Sequence, residues 1–202
     1  MQNPAPRLGR PRDSHIDQAV LAAARELLAE SGYVGVTMAA TAARAGVGKA
    51  AIYRRFDSKA ELLFAATLHG MDIEPPADSG SLRGDLRAMA RVIHERLTSP
   101  AARQVIPPLL AEMSHDAELT GRLQNTFVAS ERRDLAVIVE RARKRGELRR
   151  APDPALAHLL LGGPIFLALL VLPDPMDTAR LDAIASAVAA GLTTEPGDSP
   201  AD

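Results

Sequence analysis

TMAATAARAGVGKAAIYRRFDSKAE, residues 37–61, decides how this chain is read. Thr37 offers a side-chain oxygen to the first backbone N–H groups of a helix. Met38, Ala39, Ala42 and Ala43 follow on that helix, mostly with small side chains that permit close packing. Ala45-Gly46-Val47-Gly48 is then a turn, because Gly46 takes a positive φ without steric cost and Val47 is the expected plug beneath it. A second helix is predicted from Lys49 to Arg55, with Ile52 and Phe56 inward at i and i+4. Lys49, Ala50, Tyr53 and Arg54 face outward, with Arg55 near the edge. Asp57 and Ser58 end it, and Ser58 to Glu61 has the spacing of a capping box for a fourth helix. Two short helices about a glycine turn, with basic and aromatic residues on the second, are the layout of a helix-turn-helix whose second helix enters a DNA major groove.

Upstream, Ile16, Ala19, Val20, Ala23, Ala24, Leu27 and Leu28 recur at the spacing of one helical face. Ser14 and Asp17 suggest a capped start, and Gly32 a left-handed stop. Lys59 is badly placed for the dipole of the helix it opens, unless a DNA phosphate sits there, when both the dipole and Lys59 attract it. The Arg54-Arg55 pair alone would fit an ordinary basic hairpin; the ordered set of cap, glycine turn, tyrosine, basic pair and second cap is far more specific.

Residues 14–68 resemble the N-terminal domain of the TetR family of bacterial one-component transcriptional regulators. The carriers are AVLAAARELLAESGYVGVTM (19–38), ARAGV (43–47) and IYRRFDSKAELL (52–63). The resemblance implies that Tyr53 and Lys59 contact phosphates, that Thr37 meets the backbone at a helix start, and that Lys49, Ala50 and Ala51 fall where base edges are read. Three positions depart from the family pattern: Gly48 stands where a serine or threonine cap is usual, and Ala50 and Ala51 where glycine and threonine are common. Small methyl groups can touch a thymine methyl but donate no hydrogen bond. Direct readout therefore leans on Lys49, Arg44 and Arg54. A protein whose helix-turn-helix no longer reads DNA, a helical ligand-binding or interaction protein, is the alternative those alanines keep open.

The formal charge is −1 over 202 residues, which by itself argues against a general nucleic-acid binder. Its distribution differs: residues 1–70 hold nine Lys and Arg against six Asp and Glu, the remainder fifteen against nineteen. A basic end on an acidic body suits an oriented DNA binder. In the Pro- and Gly-containing start, residues 1–12, Arg10 and Arg12 are candidates for a flexible arm entering the minor groove. That start has no apolar signal-peptide core, and the absence of cysteine fits a reducing, cytoplasmic setting.

Beyond a linker at residues 74–80, strand-like alternation is missing and an all-α architecture of about nine helices is expected: a DNA-binding domain over 13–72, a helical ligand-binding and dimerisation domain over 81–193, and a tail over 194–202. Leu82, Leu86, Met89, Ala90, Ile93 and Leu97 mark a fifth helix. Ser99-Pro100, Asp153-Pro154 and Asp174-Pro175 read as helix starts, and Pro107-Pro108 should kink or end the sixth helix. A long helix is expected over about 117–145, stopped by Gly146.

Residues 155–172, ALAHLLLGGPIFLALLVL, reach the length of a membrane span. His158, the Gly162-Gly163-Pro164 break and the lack of basic flanks oppose that reading. A helix apolar all round is otherwise buried on every side, which in a chain of this size calls for a second copy. Leu181, Ile184 and Val188 supply a further apolar face, and the family resemblance implies a four-helix dimer interface, here built from Leu159, Leu160, Phe166, Leu169, Leu170, Leu181, Ile184 and Val188. The resemblance also implies a cavity for a small apolar or amphipathic ligand, for which Met89, Ile93, Leu97, Met113, Phe127 and Phe166 are candidates. No cofactor or catalytic residue is expected. Glu112 and His115 have the spacing of half a di-iron site without a second copy, and His115 with Glu118 is the residual metal-sensing option.

Overall fold

The computed structural model describes residues 14–69, 75–172 and 174–193. These residues form ten α-helices, with no strand among them. The chain divides into two compact units, the first ending at Ala66 and the second beginning at Thr67.

In the first unit, α1 (Ser14–Gly35), α2 (Met38–Arg44), α3 (Lys49–Tyr53) and α4 (Lys59–Phe64) enclose a small core. Val20, Ala24, Val36, Ile52, Ala60, Leu62 and Leu63 are fully buried. Gly32 interrupts α1 with φ 65, the positive value its position called for. The Arg25 guanidinium donates to the Ala66 carbonyl at 2.9 Å and ties α1 to the end of the unit. A π-helical turn, Ala65–His69, continues α4, and the boundary between the units falls within it.

In the second unit, α5 (Leu82–Thr98) is central and packs against α8 (Ala129–Lys144), α9 (Pro154–Phe166) and α10 (Thr178–Thr193). Leu82, Leu86 and Met89 meet Leu135, Ile138, Leu161 and Ile165 in one core. The predicted caps at Ser99 and Asp153 are present, accepting from Ala102 N–H at 3.1 Å and Ala155 N–H at 2.9 Å. The third differs: α10 starts at Thr178, with Asp177 rather than Asp174 accepting from Arg180 N–H at 2.9 Å. α6 (Pro100–Met113) does not end at Pro107-Pro108 but runs on to Met113. Arg103 and Gln104, one turn before those prolines, lie on the exposed side of the helix. The expected long helix is divided by a π-helical turn, Gln124–Val128, into α7 (Ala117–Leu123) and α8, which accounts for ten helices rather than about nine. Gly146, at φ 79, ends α8.

An ion-pair knot fixes the start of this unit. Arg145 reaches Asp78 at 2.6 Å, Asp85 at 3.0 Å and Glu147 at 2.7 Å. Asp85 is fully buried and also accepts from Ser79 N–H and Oγ–H, each at 2.7 Å. Burial opposes its charge, yet the Ser79 and Arg145 hydrogen bonds prevail and hold its carboxyl below the usual range.

α9 is continued by a π-helical turn, Leu167–Val171. The combined Pro154–Val171 segment is long and apolar enough to cross a membrane by length and composition, and only 17% of it is buried within the chain.

Candidate nucleic-acid interface

The first unit builds its outward face by anchoring one residue and freeing its neighbours. Thr37 Oγ1 accepts from Ala40 N–H at 3.0 Å and starts α2. At its end, Val47 N–H returns to the Ala42 carbonyl at 3.0 Å and Gly46 N–H to that of Ala43 at 3.2 Å. This closure needs a left-handed residue, and Gly46 provides it at φ 67. Val47 is half-buried, a partial plug. Gly48 caps α3 without a side-chain bond.

α3 is only five residues long, and Ile52 is its buried anchor, with no exposed surface. On a 3.6-residue period, burying Ile52 turns Ala50, Tyr53 and Arg54 to solvent, and Lys49, at the open first position of the helix, is exposed with them. Tyr53 is 54% exposed, unusual for a large ring that could have packed inward. Ala51 is half-buried. Among the described residues, neither Lys49 nor Arg54 has an ion-pair partner, so the short face carries two uncompensated cations beside a phenol.

Three other basic side chains have intramolecular partners. Arg55 donates from Nε to Asp17 of α1 and from Nη1 to the Ala51 carbonyl at 2.9 Å, so it clamps α3 to α1. Arg44 makes a bidentate pair with Glu30, both contacts at 2.8 Å, and reaches Glu26 at 3.3 Å. That hydrogen bonding holds the Glu30 carboxyl below the usual range. Arg44 is thus committed to α1 acids, and reading a base would require leaving them. Lys59 donates from Nζ to the Tyr33 carbonyl at 2.9 Å and lies 4.1 Å from the centroid of the Tyr33 ring. One N–H of three is used there, which leaves two for a phosphate. The Ser58 cap is made, with Glu61 N–H donating to Oγ at 3.1 Å, while the Glu61 carboxylate accepts from Asp57 N–H at 2.8 Å.

Tyr33, Glu26 and Glu30 were missed by sequence reasoning and Asp17 was read only as part of a helix cap; no sequence signal links the four to partners 14 to 38 positions away. Arg10 and Arg12 lie outside the described residues.

In the second unit, Leu159 and Leu160 are exposed, at 62% and 41%, and Phe166, Leu169, Leu170 and Ile184 are half-buried. Leu181 and Val188 differ from expectation: they point into their own core, packed with Leu86 and Ile165, and have almost no surface to offer a partner. The outer face of α10 carries Ala179, Ala183, Ala187, Ala190 and Gly191 instead. Met89 and Ile93 are core residues, while Leu97, Met113, Phe127 and Phe166 are half-buried. His115 and Glu118 are both exposed, and among the described residues no three metal-ligating side chains converge.

Comparison with known proteins is consistent along the chain. Residues 20–66 match the family model described as bacterial regulatory proteins, tetR family. Residues 76–188 match that of the tetracyclin repressor-like C-terminal domain. The chain is 34% identical over 170 residues to the HTH-type transcriptional regulator YdeS of Bacillus subtilis, covering 84% of this chain and 85% of that one. It is 31% identical over 159 residues to the DNA-binding transcriptional repressor TetR of Mycobacteroides abscessus, covering 73% and 83% respectively. Among solved structures, the TetR family transcription regulator SCO0332 superposes with a TM-score of 0.74 at 26% identity, over 88% of this chain and 98% of that one.

Proposed function

Because the chain belongs to the TetR family and is a DNA-binding transcriptional regulator, we propose that it works in the cytoplasm as a homodimeric, ligand-responsive repressor of an inverted-repeat operator. The observation that carries the DNA-binding surface is the outward face of α3, where Lys49, Ala50, Tyr53 and Arg54 are exposed around buried Ile52. Lys49 and Arg54 are the base-reading candidates, Ala50 and Ala51 offer methyl contacts, and Thr37, Tyr53 and Lys59 serve the phosphates. Repression, rather than activation, follows the function named for the Mycobacteroides abscessus relative.

Two features support the dimer. A helix of five residues reaches few base pairs, so useful specificity needs a second copy on a second half-site. α9 meanwhile leaves Leu156, Leu159, Leu160, Leu167 and Val171 exposed beside the small-residue face of α10. Apolar area of that extent on a soluble regulator marks an interface. Ligand in the second unit shifts the population between two dimer states that differ in the separation of their recognition helices. Coupling of about 1–3 kcal/mol gives the usual size of such an effect.

The test is fluorescence anisotropy of the full chain on DNA from upstream of its own gene, with competitor DNA and a salt series. Saturable binding that survives competitor, weakened and less base-selective in Lys49→Ala, supports the reading. Weak binding abolished by modest salt marks phosphate attraction alone and favours a helix-turn-helix that no longer reads sequence.

A further inference from the structure

The interior of the second unit holds a second charged cluster, which joins three helices. Glu131 of α8 is 6% exposed and joins two other helices. Its Oε1 accepts from Arg96 Nη1 of α5 at 3.2 Å, and its Oε2 lies 2.7 Å from His158 Nε2 of α9. The side chains of Arg96 and His158 are 11% and 17% exposed. Asp134, one turn along α8, completes the group; burial lifts its carboxyl above the usual range, Arg96 opposes that, and Glu131 adds to it.

Buried ion pairs seldom stabilise more than apolar residues of the same volume, so this arrangement is poorly explained by stability. Two of its atoms sharpen the point. Among the described residues, Arg96 Nε and His158 Nδ1 are buried and have no hydrogen-bond partner. Buried polar atoms are nearly always paired, and leaving one unpaired is costly. Arg96 Nε–H is a donor. In the neutral tautomer whose Nε2–H donates to Glu131, His158 Nδ1 is an acceptor. Around them, Ile93, Leu97, Leu135 and Leu161 lie within one helical turn and belong to or pack against the apolar core.

We propose that Arg96, Glu131 and His158 form the polar anchor for the small-molecule ligand, and that this ligand carries a neutral head which both accepts and donates a hydrogen bond, a hydroxyl, phenol or primary amide, on an apolar body. This rests on the reading that the second unit binds a ligand. The charge balance selects the class. Glu131 and Asp134 already face Arg96 and Arg133, two charges of each sign, so an added carboxylate or an added cation leaves an uncompensated charge there. A neutral donor–acceptor head satisfies both orphaned atoms without bringing a charge into the interior. A few fixed polar groups in an otherwise apolar surround is the usual build of such sites.

The experiment uses the full-length protein and four probes with one tail: 1-octanol, octanamide, octanoate and octyltrimethylammonium. Calorimetry reads affinity, and nitrogen-15 NMR reads Arg96 Nε and His158 Nδ1, assigned by the loss of each signal in Arg96→Lys and His158→Gln. The expected result is at least tenfold tighter binding of the two neutral probes, with both nitrogen resonances moving on saturation. Arg96→Lys keeps the positive charge beside Glu131 but removes the Nε–H, and is expected to lose the head preference while retaining the melting temperature. Saturable binding of all four probes with equal affinity and unmoved nitrogens overturns the anchor and leaves the ligand-binding reading standing. Saturable binding by none overturns both. The wild-type affinities for the four probes decide the matter even where a variant fails to fold.

Discussion

Lys59→Met is the substitution that tests the DNA-facing surface most directly. Methionine keeps the aliphatic length that lies over the Tyr33 ring and removes only the ammonium, whose Nζ is 2.9 Å from the Tyr33 carbonyl. The backbone cap of α4 comes from Ser58 and is unaffected. A dimer loses two cations. Each phosphate neutralised adds about 0.9 to the slope of log affinity against log salt, so the slope should fall by about 1.8. Across a fourfold rise from 50 to 200 mM salt, a slope change of about 1.8 corresponds to about a twelvefold shrinkage of the variant's penalty. The penalty should be the same on operator and on scrambled DNA, because phosphates carry no sequence. Anisotropy titrations at four salt concentrations measure both quantities. An unchanged slope in a folded variant would refute the phosphate role and leave Lys59 as a brace between α4 and Tyr33.

The remaining expectations concern what holds each surface in place. Ile52→Ala empties a fully buried site and should cost about 3 kcal/mol, abolishing operator binding as α3 loses its anchor; wild-type affinity in that variant would show that α3 is held by other means. Asp85→Asn should lower neutral-pH stability by about 3 kcal/mol, since Arg145 keeps Asp78 and Glu147 while losing its buried partner. Because the folded Asp85 carboxyl lies below its unfolded value, its contribution is present above the ordinary aspartate range and fades as pH falls through it. Urea midpoints should therefore decline less on acidification in the variant, and parallel curves would count against the knot. Leu159→Glu, at a position 62% exposed, should leave the protomer folded but monomeric by sedimentation, with operator affinity lost; a persistent dimer would move the interface elsewhere.

How far the sequence reached depended on whether the information was local. Thr37, Gly46, Ser58 and Ile52 each act through neighbours within a turn or two, and each is found in its predicted role. Arg44 failed to be legible because its fate is set by Glu26 and Glu30 on another helix, and an arginine at a helix end reads equally as a reader of bases or a clasp. The start of α10 slipped by three residues because Asp174-Pro175 and Asp177 both offer a cap, and only packing selects between them. Leu181, Ile184 and Val188 do share the spacing of one face, but spacing does not say whether that face meets its own core or a second chain. Alanine-rich α10 makes the ambiguity worse, since its outer side is also free of charge at most positions. The Arg96–Glu131–His158 cluster was invisible because its members come from three helices separated by long stretches of chain.

Leu181 and Val188 sharpen the argument for an interface. With them committed to the protomer's core, the apolar surface left for a partner comes from one helix, α9, and from small side chains on another. Leucines at 156, 159, 160 and 167 project as knobs, whereas Ala179, Ala183, Ala187 and Gly191 leave the α10 backbone open to close approach. Knobs on one helix and a shallow small-residue track on the next are self-complementary under a twofold axis, because each copy presents both halves. A membrane would meet the leucines equally well but would give the alanine track no role. A single chain in water would leave Leu156, Leu159, Leu160, Leu167 and Val171 wet, which is the costliest of the three arrangements. The proposed twofold pairing covers both faces and, by bringing two short recognition helices to one operator, supplies the reach that one five-residue α3 lacks.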